Sequence, residues 1–171
     1  MAEDQGKGGK HSSPTAGGSQ SFTWLAVAKQ EVGVKERPGM ADNPRIIQYH
    51  ATTTLRATDD EVPWCSSFVN WCFAQRGYTG TRSAAARSWI NWGARLDRPV
   101  LGCVVVMTRT GGGHVGFYMG EDDSHVLVLG GNQDDAVNIR KYLKSRVIGY
   151  RIPKDLQPID QQHYERLMGA A

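Results

Sequence analysis

The spacing of apolar residues changes character about halfway along the chain, and this change constrains the fold more than any other feature. Before residue 93 the spacing is helical, and an apolar face at Cys65, Phe68, Val69, Cys72 and Phe73 predicts a helix over 64–75. Further helices are predicted over 22–31, 44–53 and 83–92. Beyond residue 93, β-rich runs alternate with turn residues at 100–108, 114–120, 125–129, 137–142 and 147–152. Helices first and strands later predict an α+β domain, with N-terminal helices packed on an antiparallel sheet of about five strands.

The length and composition fit one globular domain with tails. The chain has 171 residues, of which 40% are hydrophobic and 22% are charged. Residues 1–20 are rich in Gly, Ser, Lys and Gln and lack the apolar segment of a Sec signal peptide, so we expect a disordered tail and synthesis in the cytoplasm. The folded domain is expected over 21–153, with a C-terminal extension over 154–171.

Several function classes are disfavoured by the sequence. The net charge of +3 is not gathered into a basic block with interleaved aromatics, so nucleic acid is not expected as a partner. The longest apolar runs, such as 104–107, are far too short to cross a bilayer, and no stable membrane insertion is expected. No H-x-x-x-H, C-x-x-C or H-E-x-x-H spacing is present, so we predict neither a metal site nor a cofactor.

Cys65 is the candidate nucleophile. It follows Pro63 and Trp64 at the start of the predicted helix, where unpaired N–H groups and the helix dipole favour a thiolate. The alternative is a buried helix cysteine, which is the role expected for Cys72. The number of cysteines is odd, and Cys65 and Cys72 would lie about 10 Å apart on a helix, too far for a disulfide.

His114 is the candidate base, and Asn132 the candidate group that orients it. His114 follows three glycines and opens a predicted strand, whereas His50 and His125 have the settings of ordinary solvated residues. Asn132 follows the end of the next predicted strand, which lies beside the start of the His114 strand in an antiparallel hairpin. A turn asparagine is the alternative interpretation.

Two tryptophans and a glutamine are candidate substrate-binding residues. Trp64 adjoins the nucleophile, Trp89 lies on the short fourth helix, and Gln133 follows Asn132. The aromatic rings could stack on sugar or pack on a peptide. Core packing is the alternative for both rings.

Three motifs in this order resemble the CHAP family, the cysteine- and histidine-dependent amidohydrolases and peptidases of the NlpC-type and papain-like superfamily. They are Pro63-Trp64-Cys65-Ser66-Ser67-Phe68-Val69-Asn70, Gly113-His114-Val115-Gly116-Phe117-Tyr118 and Leu129-Gly130-Gly131-Asn132-Gln133. The resemblance extends over about residues 22–152 and is closest to small phage and bacterial peptidoglycan hydrolases. It implies a papain-like fold.

The resemblance also implies a function. It points to cleavage of bacterial peptidoglycan, as an N-acetylmuramoyl-L-alanine amidase or a stem-peptide endopeptidase, with Cys65, His114 and Asn132 in the catalytic roles. Many CHAP enzymes carry a glutamate two residues before the asparagine, where this chain has Gly130. The alternatives are a non-catalytic cell-wall-binding module and a papain-like protease acting on proteins.

Two biological settings fit this chemistry. One is a phage endolysin released through a holin, and the other is an antibacterial effector whose producer carries an immunity protein. In both settings we expect a monomer that acts on the cell wall.

Overall fold

The computed structural model describes residues 23–39, 42–57 and 63–156. Its helices are α1 (Trp24–Gln30), α2 (Pro44–His50) and α3 (Cys65–Ala74), followed by a 3₁₀ helix over Ala86–Asn91. Its strands are β1 (Ala94–Leu96), β2 (Val104–Arg109), β3 (Gly112–Glu121), β4 (His125–Gly130), β5 (Asn138–Leu143) and β6 (Val147–Ile152). Single 3₁₀ turns at Lys144–Arg146 and Lys154–Leu156 complete the described elements.

The start of α3 differs from the starts of the two preceding helices. The Thr23 hydroxyl accepts a hydrogen bond from the Ala26 N–H at 3.2 Å, and the Asn43 side chain caps α2 in the same way ahead of Pro44. At α3 the N-cap residue is Trp64, whose side chain makes no capping hydrogen bond. The first backbone N–H groups of α3 are therefore not occupied by a side-chain cap.

The six strands form one antiparallel sheet in the order β1-β6-β2-β3-β4-β5. The predicted α+β class and the antiparallel pairing are confirmed. The sheet has one strand more than expected, because β1 is only three residues long and pairs with β6 at the edge farthest from β5. A strand this short carries too little alternation to be read from sequence.

The core lies between α3 and the sheet. The predicted apolar face of α3 is buried, with Cys65 5% exposed and its other members fully buried. The Phe117 ring of β3 packs against Phe68 and Phe73, with ring centroids 6.3 and 5.7 Å apart. Burial of one such side chain stabilises the fold by about 1.5–3 kcal/mol. These contacts fix α3 on β3, the strand that carries His114.

The predicted segments outside the domain are only partly described. The expected tail over 1–20 and most of the expected extension over 154–171 lie outside the described residues.

The predicted fourth helix over 83–92 is a 3₁₀ helix. Within the described ranges, no helix is long and apolar enough to cross a bilayer.

Candidate active site

Cys65 is the first residue of α3, and its sulfur faces the start of β3. The backbone N–H groups of Val115, Ser66 and Cys65 itself interact with this sulfur and lower the thiol pKa. Because Val115 follows His114 directly, these contacts bring the nucleophile candidate to the strand position that carries the base candidate.

Burial outweighs the helix end in setting the ionisation of Cys65. The removal of the thiol from water is the largest influence and raises its pKa above the ordinary value. The three backbone N–H groups and the positive charge of Arg109 act in the opposite direction without overcoming it. Burial therefore opposes the thiolate that the helix start favours, and the raised pKa favours the thiol at neutral pH.

His114 is the third residue of β3 and is 3% exposed. Burial lowers its pKa to about 4, the hydrogen bond with Gln133 acts in the raising direction, and the positive charges of Arg109 and Arg146 lower it further. The imidazole is therefore neutral at neutral pH and able to accept a proton.

Gln133 fixes the tautomer of that imidazole. Its side-chain Nε2 donates to the carbonyl oxygens of Val128 at 3.2 Å and Asn138 at 2.8 Å, and to the Asn138 Oδ1 at 3.0 Å. Its Oε1 is thereby turned toward His114 Nε2 at 2.9 Å. Because Oε1 only accepts, His114 Nε2 must carry the hydrogen, which leaves Nδ1 with a lone pair. A neutral imidazole held this way is a general base at Nδ1.

The structure brings Gln133 to His114 instead of Asn132. Phe117 pairs with Leu129, so a continued β3–β4 ladder would set Asn132 opposite His114. Strand β4 ends at Gly130, however, and Asn132 has a left-handed backbone with φ 54°. The turn moves Gln133 inward to 2% exposure, and among the described residues the Asn132 side chain makes no hydrogen bond to His114. Asn132 instead lines the cleft above the ring.

Two glycines let this turn approach the site closely. A Cβ at Gly130 would lie 2.6 Å from Gln133 Oε1 and 3.5 Å from His114 Nε2. A Cβ at Gly131 would lie 2.7 Å from the Phe68 Cβ on α3. The glycine at position 130, where many CHAP enzymes have glutamate, leaves the space that the Gln133 amide occupies.

Trp64 and Trp89 belong to the core. Both are fully buried, Trp64 donates from Nε1 to Glu36 at 2.8 Å, and Trp89 donates to the Ser66 hydroxyl at 2.9 Å. Neither ring presents a face to a substrate, so the expectation that they bind one does not hold. Gln133 is likewise turned inward to His114 instead of outward.

His50 is also placed differently from the expectation. It is fully buried, and its Nδ1 lies 2.9 Å from the Ser67 hydroxyl on α3. The solvated setting expected from the sequence was wrong because α2 packs directly on α3, which covers the last residue of α2. The His50–Ser67 contact helps to hold α3 in place.

Tyr142 on β5 is a site residue that the sequence did not single out. Its hydroxyl lies 3.4 Å from His114 Nε2, and the two ring centroids are 5.3 Å apart. Every second residue of β5 faces the site. Asn138 contacts Gln133, Arg140 contacts Asp134, and Tyr142 contacts His114. This alternation in the predicted strand over 137–142 was the signal that could have identified it.

The cleft above His114 is positively charged. Four cationic side chains line it, together with the single acid Asp134, which forms an ion pair with Arg140. The cationic side chains are those of Arg109, Arg140, Lys141 and Arg146. Within the described ranges, no cluster of three or more His, Cys, Asp or Glu side chains is arranged to hold a metal ion.

Comparison with protein families supports the motif assignment. The CHAP domain family model matches residues 57–132, a range that holds Cys65, His114 and Asn132. The resemblance seen in the sequence is confirmed. The chain has no significant match among curated protein sequences.

Comparison with solved structures supports the fold. The peptidoglycan hydrolase RipB from Mycobacterium tuberculosis superposes with a TM-score of 0.50 at 19% identity, over 80% of this chain and 66% of RipB. The P60 domain of an antigen from M. avium paratuberculosis has a TM-score of 0.48 at 14% identity, over 78% of this chain and 93% of that domain. The non-catalytic NlpC/p60 protein RipD from M. tuberculosis has a TM-score of 0.48 at 15% identity, over 77% of this chain and 94% of RipD. This chain therefore spans about two thirds of the length of RipB.

Proposed function

We propose that this chain, which contains a CHAP domain, is a peptidoglycan hydrolase in which Cys65 is the nucleophile and His114 the base. One observation carries the proposal: the Gln133 amide holds the His114 imidazole in the tautomer whose Nδ1 can accept a proton, beside a cysteine at a helix start. Nucleophile, base and orienting group are the parts of an acyl-transfer site.

The first half of the reaction starts from two neutral groups. The Cys65 sulfur attacks an amide carbonyl while the thiol proton passes to His114 Nδ1, and the imidazolium keeps its Nε2–H on Gln133. The backbone N–H of Cys65, at the start of α3, stabilises the oxyanion. Charges therefore form on the sulfur and the imidazole only during the attack. This suits a buried site, because burial makes a resting ion pair unfavourable.

The second half regenerates the enzyme. His114 gives the proton from Nδ1 to the nitrogen of the departing amine, the C–N bond breaks, and a thioester to Cys65 remains. Water, deprotonated by the same nitrogen, then hydrolyses the thioester and restores the thiol. Each step uses one proton on one imidazole nitrogen, so the fixed tautomer serves both halves.

Peptidoglycan is proposed as the substrate because of the motif resemblance and because RipB, whose fold is similar, is a peptidoglycan hydrolase. The bond is either the muramoyl–L-alanine amide or a peptide bond of the stem. Asn132 lines the cleft, and we propose that its side chain contacts the substrate and does not orient His114.

Mass spectrometry of digested sacculi tests the proposal. We expect the wild-type protein to release either lactyl ends freed of peptide, the product of an amidase, or new amino termini within stems, the product of an endopeptidase. Cys65→Ala should lower the rate by more than about a thousandfold. Cys72→Ala is the matched control, since it is the same change on the same buried face of α3.

Two results would contradict the proposal. Binding of the wild-type protein to sacculi without release of product would identify a wall-binding module. Cleavage of casein without cleavage of sacculi would identify a protease acting on proteins. Neighbouring genes then separate the settings, because a holin gene marks an endolysin and an adjacent immunity gene marks an effector.

A further inference from the structure

The positive charge lines the cleft above His114, and the charge of Arg109 also reaches Cys65. Two of the four cationic side chains already have acidic partners: Arg140 pairs with Asp134, and Lys141 lies 3.5 Å from Asp122. The other two, Arg109 and Arg146, have no acidic partner among the described residues. Both are close enough to His114 for their charges to lower its pKa.

Arg146 is held in place with its terminal nitrogens unused. Its Nε donates to the Thr108 carbonyl at 3.0 Å, and its guanidinium carbon lies 5.2 Å from the centre of the Tyr142 ring. Its two Nη atoms make no hydrogen bond within the described ranges. A guanidinium fixed through Nε and stacked on a ring offers its outer N–H groups to a planar acceptor.

Arg109 lies on the same edge. It is the last residue of β2, next to Thr108, and it pairs across the hairpin with Gly112, two residues before His114. Its side chain is exposed and makes no hydrogen bond or ion pair with another described residue. Arg109 and Arg146 therefore present two unneutralised guanidinium groups beside the base.

Reaction chemistry decides which part of the substrate meets them. His114 delivers its proton to the departing amine, so that amine and the chain attached to it must lie over the His114 side of the site. The acyl part lies on the side of α3, where Cys65 holds it. The two arginines consequently face the leaving group.

We infer that Arg109 and Arg146 form a subsite for a carboxylate carried by the departing amine half of the peptide. The inference rests on the proposed hydrolysis and adds a specificity to it. A carboxylate matches the paired N–H donors of a guanidinium. The amine half released from a stem peptide ends in a carboxylate. The subsite would favour stems whose carboxyl groups are free over stems in which they are amidated.

Two kinds of sacculi test the inference by turnover. One batch is untreated, and in the other the stem carboxylates are converted to carboxamides with a carbodiimide and ammonia. We expect wild-type digestion to be about tenfold faster on untreated sacculi, the effect of a charge-assisted contact at a partly exposed site. In Arg109→Gln/Arg146→Gln the ratio should approach one. Arg95→Gln, which removes one positive charge on β1 at the opposite edge of the sheet, should keep the wild-type ratio.

Binding without turnover separates the two proposals. Calorimetry on the Cys65→Ala protein would compare the tetrapeptide L-alanyl-γ-D-glutamyl-L-lysyl-D-alanine with its fully amidated form, with and without the two arginine substitutions. Tighter binding of the carboxylate form that is lost with the arginines supports the subsite, even if sacculi are not cleaved. Equal digestion of both sacculi, or carboxylate-dependent binding that survives the arginine substitutions, overturns it. Binding of inorganic phosphate to the Cys65→Ala protein as tight as that of the tetrapeptide would also overturn the inference, since it would identify a general anion site.

Discussion

Replacing Gln133 with alanine tests whether the Gln133 side chain orients His114. The substitution removes the acceptor at 2.9 Å from His114 Nε2, and among the described residues it leaves the Tyr142 hydroxyl, at 3.4 Å, as the one hydrogen-bonding group near that nitrogen. In the transition state the imidazolium would lose a charge-assisted hydrogen bond, which is worth about 1.5–3 kcal/mol. We therefore expect kcat to fall about ten- to a hundredfold.

The same substitution also costs stability. The Gln133 Nε2 donates to Val128 and Asn138, and loss of these buried contacts should lower the free energy of unfolding by about 2–4 kcal/mol. Asn138→Ala is the control, because the Asn138 Nδ2 donates to the Gln133 carbonyl at 2.8 Å. It also removes the Oδ1 acceptor at 3.0 Å from Gln133 Nε2, but the two backbone carbonyls that bind Nε2 remain. It should weaken the turn while leaving the imidazole bound.

Two measurements distinguish these effects. Urea unfolding gives the stability of each variant, and digestion of sacculi, at a temperature where all the proteins are folded, gives kcat. ¹⁵N NMR of the histidines should show His114 protonated at Nε2 in the wild-type protein and in Asn138→Ala, but a mixture of tautomers in Gln133→Ala. An equal loss of kcat in the two variants, with an unchanged His114 tautomer, would refute the orienting role.

Three further predictions follow from the same site. The pKa of His114 is about 4 in the folded protein against 6.5 when unfolded, so the unfolded chain binds the proton first as pH falls. The free energy of unfolding should therefore drop by about 3 kcal/mol between pH 6.5 and 4. When urea unfolding is repeated across this pH range, the free energy of unfolding should fall less steeply with pH in His114→Gln. The raised pKa of Cys65 predicts no thiolate absorbance near 240 nm at pH 7 beyond that of Cys65→Ala, and a clear thiolate signal there would show a resting ion pair instead. Gly130→Ala should displace the Gln133 amide and reduce kcat, whereas Gly149→Ala, where a Cβ meets no atom within 4 Å, should digest sacculi at the wild-type rate.

The fold was predictable because each helix and each longer strand carries its own local signal. The five apolar positions of α3 share one face at helical spacing, and that face is the buried one in the structure. The strand signals were likewise local, and pairing neighbours in antiparallel order needed only short connections. The three-residue β1 has no such signal, since its place depends on β6, more than fifty residues later in the chain.

The helix start at Cys65 and the strand that carries His114 could be predicted from sequence, because both depend on neighbours close in the chain, although the strand begins at Gly112. The choice between Asn132 and Gln133 was decided by tertiary structure. It depends on where β4 ends and on left-handed backbone at Asn132, and a shift of one residue reverses which side chain faces inward.

Burial was also decided only by packing. Trp64, Trp89 and His50 have local settings that suit either a core or a cleft, and the contacts of α2, α3 and the 3₁₀ helix bury all three. The ionisation of the site follows from the same cause. A helix start favours the thiolate wherever it occurs, but the desolvation that outweighs it exists only once the sheet has closed over Cys65 and His114. Sequence could therefore supply the proposed nucleophile and base, and tertiary structure decided which side chain binds the His114 imidazole and how burial shifts the pKa values of both groups.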